Sequence, residues 1–218
     1  FAIDRAGLVP ADGETHQGIY DPAFLSEAGI PIYSPSNYAE LCYWLVQLVG
    51  PRYTGPQALR YPRGGESAAL ARYGCTGRAF DFLTGQPEAD TVLVSYGSEV
   101  EDVLAAGAAL EAQGIPCRVC KLVKIFPFTD EFLHAIERFD TILFAEECVC
   151  AGGIGQQLVA RLTEDGWRGT FIHRAVDNTK LTHATVPELK ELQGLDAASL
   201  VQAVRQALDA GQEKERTR

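Results

Sequence analysis

Thr91-Val-Leu-Val-Ser-Tyr-Gly-Ser-Glu-Val-Glu-Asp-Val-Leu-Ala-Ala-Gly-Ala-Ala-Leu110 decides the fold. Thr91 to Tyr96 has no polar alternation, as in a strand buried on both faces. Gly97-Ser98 then opens a helix. Ser98 is its expected N-cap, and Glu99, Glu101 and Asp102 favour its positive end. Val100, Val103, Leu104, Gly107 and Leu110 follow one helical face. Gly114-Ile115-Pro116 stops that helix, and Cys117 to Val123 reads as the next strand.

The same alternation extends toward the C-terminus. A helix is expected over Asp130 to Phe139, a strand over Thr141 to Ala145 and a helix over Gly152 to Glu164. A fourth strand, Thr170 to Val176, precedes helices at Pro187 to Leu192 and Ala197 to Ala210, with a solvated tail from Gly211. Strands alternating with helices predict an open, mostly parallel α/β sheet covered on both faces. Residues 65–90 have few periodic apolar positions and are expected to be a linker with one short strand near Phe80 to Leu83.

Residues 1–64 read as strand, helix, strand, helix, strand. Phe1-Ala-Ile3 ends the first strand, and Phe24 to Gly29 is a short helix closed by glycine. Pro31-Ile-Tyr33 is a strand. Ser36 is the expected cap of a helix reaching Val49, with Glu40 supporting it and Leu41, Leu45 and Leu48 at helical spacing. Gln57 to Tyr61 is the third strand.

Composition narrows the function classes. The chain has 218 residues and a formal net charge of -10. That balance disfavours nucleic acid and anionic membrane surfaces, which need clustered Lys and Arg. No apolar run approaches the ~20 residues of a membrane helix. Six cysteines at this length do not make a disulfide scaffold, so a reduced, cytoplasmic protein is expected. With no methionine, the chain is expected to be a processed product or an excerpt.

The polar chemistry is concentrated near the N-terminus. Arg5 and Arg63 each follow a strand, where ligands of parallel α/β sheets gather. A guanidinium fork fits phosphate, but two surface arginines paired with carboxylates fit the pattern too. Asp12 and His16 lie in a glycine-flanked turn. A carboxylate can orient a histidine for proton transfer, and an exposed histidine in a turn is the plainer alternative. A zinc site at Cys117-x-x-Cys120 or Cys148-x-Cys150 is disfavoured: strand positions three apart, as in the first pair, face opposite sides, and no histidine adjoins either pair in sequence, so buried or inert thiols are expected. Gly152-Gly-Ile-Gly155 could cradle phosphate, but Leu158 stands where the last dinucleotide-loop glycine belongs, so a tight strand-to-helix turn is preferred. His134, His173 and His183 read as surface or internally satisfied side chains.

Phe1-Ala-Ile-Asp-Arg-Ala-Gly, Asp12-Gly-Glu-Thr-His-Gln-Gly18 and Arg60-Tyr-Pro-Arg-Gly64 together resemble the 1-deoxy-D-xylulose-5-phosphate synthase family of thiamine-diphosphate enzymes, relatives of transketolase. Glu146-Glu147 before Gly152-Gly153, and Gly194-Leu-Asp-Ala-Ala198, continue the likeness. The resemblance implies that 1–64 is the latter half of a pyrimidine-binding α/β domain. It implies a linker at 65–90 and a transketolase C-terminal-like domain at 91–218. It further implies that Arg5 and Arg63 hold the phosphate of glyceraldehyde 3-phosphate, while Asp12 and His16 face the substrates. Pyruvate would be the other substrate, and a homodimer the expected assembly. Thiamine diphosphate and Mg are implied for the complete enzyme, their main binding groups lying in an N-terminal portion outside this chain, which alone would be inactive. Other transketolase-like enzymes, a 2-oxo-acid dehydrogenase β-type subunit, and a non-catalytic assembly module remain alternatives. Pro10 departs from the family's usual glycine.

Overall fold

The computed structural model describes residues 1–177 and 181–216. The strands form two sheets. The first has the order β1-β3-β2-β7, built from β1 (Ala2–Ile3), β2 (Ile32–Tyr33), β3 (Ala58–Arg60) and β7 (Lys124–Phe126). Its pairs β1/β3 and β2/β3 are parallel, and β2/β7 is antiparallel. The second has the order β4-β6-β5-β8-β9, built from β4 (Phe80–Gly85), β5 (Thr91–Ser95), β6 (Arg118–Leu122), β8 (Thr141–Val149) and β9 (Thr170–Val176). All of its pairs are parallel except β4/β6. The chain passes between the two sheets after β3, after β6 and after β7. The expected strand from Cys117 to Val123 is β6, and beyond Val123 a strand that was not expected, β7, splits off to the first sheet.

The apolar runs behave as strands buried on both sides. Leu93, Leu143 and Ala145 face one core, with Val100, Val103 and Leu110 of α4 (Val100–Ala112) and Leu200 and Val204 of α8 (Ala197–Arg216). Val92, Val94, Ile142 and Phe144 face a second core, shared with Phe132 of α5 (Asp130–Ile136), Leu158 of α6 (Ile154–Glu164), and Ile32 and Ala58 of the first sheet. Each such fully buried side chain contributes about 1.5–3 kcal/mol. Cys117 belongs to the first core and Cys120 to the second.

Several local expectations are corrected. The first helix, α1, is Asp21–Glu27, starting earlier because Pro22 suits its first turn. Helix α2 is Tyr38–Leu48, and its cap is Asn37, whose side chain accepts the Glu40 N–H. Ser36 instead donates its N–H and hydroxyl to Glu40. Ser98 does not cap α4 either: Gly97–Glu99 is a 3-10 turn, and the Ser98 hydroxyl donates to Glu147 Oε1 at 2.9 Å. Residues 65–90 hold β4, which enters the second sheet, and a single helical turn, α3 (Ala68–Ala71), capped by Ser67. Helix α7 (Val186–Gln193) has a Thr185/Glu188 capping box. The solvated tail expected from Gly211 is helical to Arg216, and its last two residues lie outside the described ones.

Candidate functional site

The stretch from Asp4 to Gly18 is a closed loop. Gly7 N–H donates to Gly18 O at 2.8 Å and Gly18 N–H returns to Gly7 O at 2.9 Å. Buried Gln17 ties the interior, its Oε1 accepting Val9 N–H at 2.7 Å and its amide donating to Val9 O at 3.0 Å. Two non-glycine residues sit at positive φ, Arg5 at 56° and Ala11 at 60°. That conformation costs roughly 1–2 kcal/mol per residue, and the surrounding bonds must hold it. Ala11 follows Pro10, and its N–H donates to Ala184 O at 3.1 Å.

Beneath the loop lies Arg60, the last residue of β3. Its Nε donates to Asp21 Oδ2 at 2.8 Å and its Nη2 to Gly18 O at 3.2 Å. The guanidinium lies over the Tyr96 ring, 5.3 Å from the centroid. Burial pulls the Arg60 pKa down, but Asp21 outweighs it and the net shift is upward. Arg60 is therefore a structural cation under the site.

The loop's surface carries the predicted residues. Arg63 Nη1 is 2.5 Å from Asp12 Oδ2, and Arg5 Nη1 is 4.0 Å from the same oxygen. Both arginine side chains are roughly half exposed, 41% and 49%, so a ligand can reach them. Two guanidinium groups thus converge on one carboxylate, an arrangement that also fits an anion in its place. His16 ends a short 3-10 turn, exposed, with Nδ1 3.3 Å from Thr15 Oγ1. The Asp12 carboxylate engages the arginines rather than the His16 ring. A cleft of about 330 Å³ opens beside Pro62, Gly64 and Gly65, lined also by Tyr38 and Glu101, but none of Arg5, Asp12, His16 and Arg63 lines it.

The other sheet holds the loop through Glu147, at the end of β8. Its Oε2 accepts Leu8 N–H at 2.7 Å, and its Oε1 accepts the Ser98 hydroxyl. Lys190 of α7 reaches the same Oε1 at 3.3 Å, Asp102 Oδ2 at 2.6 Å and Glu99 Oε2 at 2.8 Å. The Lys190 contact is an ion pair, and among the described residues neither oxygen of buried Glu99 has a hydrogen bond of good geometry. Burial raises the Glu99 pKa well above its ordinary value; Lys190 opposes this, and Glu147 and Asp102 add to it. For Lys190 burial acts downward, yet Glu147, Glu99 and Asp102 together carry it up.

The preceding residue, Glu146, is fully buried and satisfies the start of α6. It accepts Ile154 N–H at 3.2 Å, Gly155 N–H at 2.9 Å and the Tyr96 hydroxyl at 2.7 Å. The Gly152-Gly153-Ile154-Gly155 turn therefore meets an internal carboxylate where a phosphate loop would meet its ligand. A Cβ on Gly153 would lie 2.7 Å from Glu146 Oε1 and 2.5 Å from Val149 O, so the turn leaves no room for a side chain there.

Arg60, Glu147 and Lys190 were not singled out as site-forming in the sequence. The available signal was a pair of acids, Glu146-Glu147, closing a strand that is otherwise apolar.

The family described as "Transketolase, C-terminal domain" matches residues 82–200. The chain is 32% identical over 216 residues to 1-deoxy-D-xylulose-5-phosphate synthase of Gloeobacter violaceus, covering 95% of this chain and 33% of that protein. It is 34% identical over 215 residues to the synthase of Anaeromyxobacter sp. (strain K), covering 94% and 33%. The chain thus spans about a third of the length of the curated relatives it matches. Among solved structures, a split-gene transketolase described as an inactive β4 tetramer superposes with a TM-score of 0.77 at 25% identity, covering 95% of this chain and 66% of that one. Transketolase from Campylobacter jejuni superposes with a TM-score of 0.70 at 16% identity, covering 94% and 31%, and shares the fold.

Proposed function

The chain belongs to the transketolase C-terminal domain family, and from that premise we propose that it is the C-terminal portion of a 1-deoxy-D-xylulose-5-phosphate synthase. That enzyme would join pyruvate to glyceraldehyde 3-phosphate with loss of CO2, toward isoprenoid precursors and thiamine. This chain would serve the acceptor side. The convergence of Arg5 and Arg63 on Asp12 carries the reading, supported by the named relatives.

Asp12 holds the two guanidinium groups in place when no substrate is bound. The phosphate of glyceraldehyde 3-phosphate displaces it and takes both forks, a charge-assisted and geometrically selective contact. The two local cations also offset a chain whose net charge of -10 repels anions. His16, on the same loop and open to solvent, donates a hydrogen bond or proton to the oxygen that becomes charged as the new carbon–carbon bond forms.

Thiamine diphosphate and Mg do not fit the described residues. No three His, Cys, Asp or Glu side chains among them converge as metal ligands, and the N-terminus of α6 is filled by Glu146. No step through the cofactor is assigned to this chain, and it is expected to be inactive without the rest of the enzyme. A second reading, a separately encoded subunit of a transketolase-like enzyme, is favoured by the match to the split-gene structure over 95% of this chain.

The test is Arg63→Ala in the complete enzyme. Losing one charge-assisted contact, worth about 1.5–3 kcal/mol, is expected to raise the KM for glyceraldehyde 3-phosphate roughly 10- to 100-fold. The KM for pyruvate should stay put. An unchanged KM for the phosphorylated acceptor refutes the clamp.

A further inference from the structure

Cys150, His173 and Glu146 form a linked set that the proposed synthase chemistry does not use. Cys150 is exposed at the end of β8, and its Sγ lies 3.6 Å from His173 Nδ1. His173, on the neighbouring strand β9, places its Nε2 2.7 Å from Glu146 Oε1. Glu146 is wholly buried and already accepts from Tyr96, Ile154 and Gly155. A carboxylate so fixed can only accept from the ring, so Nε2 carries the hydrogen. Nδ1 is left with its lone pair toward the thiol.

The imidazole is also held in place. It packs at 6.2 Å from the Phe144 ring and 6.3 Å from the Phe171 ring. It rests on Gly155, where a Cβ would stand 2.4 Å from Nε2. The order is nucleophile, base, orienting carboxylate, with the nucleophile at the surface.

The other cysteines differ. Cys117, Cys120 and Cys148 are buried, and burial pushes each thiol up, Cys117 to about 11. Cys42 is exposed on α2 and has no hydrogen bond to a histidine among the described residues. Cys75 is half-buried, and burial pushes its thiol up too. Among the described residues only Cys150 combines an exposed thiol with a histidine in reach.

We propose that Cys150 is a reactive thiol, activated by His173 and Glu146, that exchanges with small-molecule disulfides. The Sγ proton passes to His173 Nδ1, and the thiolate attacks one sulfur of the disulfide. A Cys150–sulfur bond forms as the disulfide's own S–S bond breaks. The departing thiolate takes the proton from His173 and leaves as a thiol. Cys150 is oxidised to a mixed disulfide, and half of the small disulfide is reduced.

The probe is glutathione disulfide, added to the 218-residue chain at neutral pH, with each cysteine followed by peptide mass spectrometry. Cys150 is expected to form the mixed disulfide at least about tenfold faster than Cys42, the margin a paired base gives an accessible thiol. His173→Phe keeps the aromatic packing and removes the base, so Cys150 should fall to the Cys42 rate. Cys117, Cys120 and Cys148 should remain unreacted, which reports an intact fold. Equal rates for Cys150 and Cys42 in the unaltered chain overturn the proposal. So does a fast Cys150 that ignores His173→Phe while the buried thiols stay protected. Should the variant expose those thiols, the unaltered chain decides in urea: the ratio is expected to collapse toward one on unfolding, and a ratio that survives refutes the relay.

Discussion

Removing Lys190 should cost this protein several kcal/mol, and the loss should depend on pH in a defined direction. The ammonium sits among Glu99, Asp102 and Glu147, and its side chain is 8% exposed. Lys190→Met keeps the length and deletes the charge, leaving carboxylates grouped without a cation. Breaking a buried pair this way costs about 3–5 kcal/mol. The chain can limit the loss by protonating one further carboxyl. At the ordinary glutamate acidity that costs about 3.5 kcal/mol at pH 7 and about 1 kcal/mol at pH 5. The two routes agree near neutrality, and at 2–4 °C per kcal/mol they predict a Tm fall of roughly 6–20 °C at pH 7.

The sign follows from proton binding. The folded state holds the Glu99 proton more tightly than the unfolded chain, so in both proteins stability declines as pH rises above the ordinary value of 4.5. Lys190, raised in the fold, contributes stability that is present below its ordinary value of 10.5 and lost above it. The variant lacks that contribution and binds about one extra proton, so its stability should fall more steeply from pH 5 to 8, by about 1.4 kcal/mol per pH unit. Calorimetry or thermal circular dichroism across that range measures it. Parallel curves for the two proteins, or a Tm change below about 2 °C at pH 7, would refute the assignment of Lys190 as the balancing charge.

Two other substitutions probe how the loop is held. Gly7→Ala places a Cβ 2.3 Å from Glu147 Oε2 at a φ of 84°, whereas Gly114→Ala at 77° meets open space. Both should lose about 1–2 kcal/mol to backbone strain, and only Gly7→Ala should lose more; equal losses in urea titrations would deny the contact. Arg60→Met strands the buried Asp21 carboxylate and should cost about 3–5 kcal/mol. Adding Asp21→Leu should restore a good part of that, and a double variant no more stable than the single one would contradict the pairing.

The second sheet was legible because its signals were local. Thr91 to Ser95 is a mostly apolar run closed by Gly97, and Thr170 to Val176, which also carries His173 and Arg174, follows Gly169; both lie where the pattern places them. The split at Val123 was not legible: nothing within Cys117 to Phe126 says that Phe126 pairs with Ile32, ninety-four residues earlier in the chain. The cap of α2 was misplaced by one residue because Ser36 and Asn37 are both good caps, and the Glu40 side chain decides between them by claiming Ser36. At the site, Arg5, Arg63 and Asp12 were individually visible, but their convergence on one oxygen depends on loop closure between Gly7 and Gly18. Glu147 was visible only as part of the family likeness, and its tie to the loop, like the role of Lys190, was not legible because the partners are distant in sequence, Leu8 for one and Asp102 for the other.

The crossing of β6 into β7 bears on any attempt to divide the chain. Cutting at 65 or 91, where composition changes, would leave β7 in the second piece without β2 beside it. Its N–H and C=O groups on that edge, and the apolar surface that Leu25, Ile32 and Ala58 cover, would face water. An unpaired apolar strand edge is a template for aggregation. The seam in composition is therefore not a seam in hydrogen bonding, and a piece that begins at 65 or 91 is expected to aggregate more readily than the whole chain.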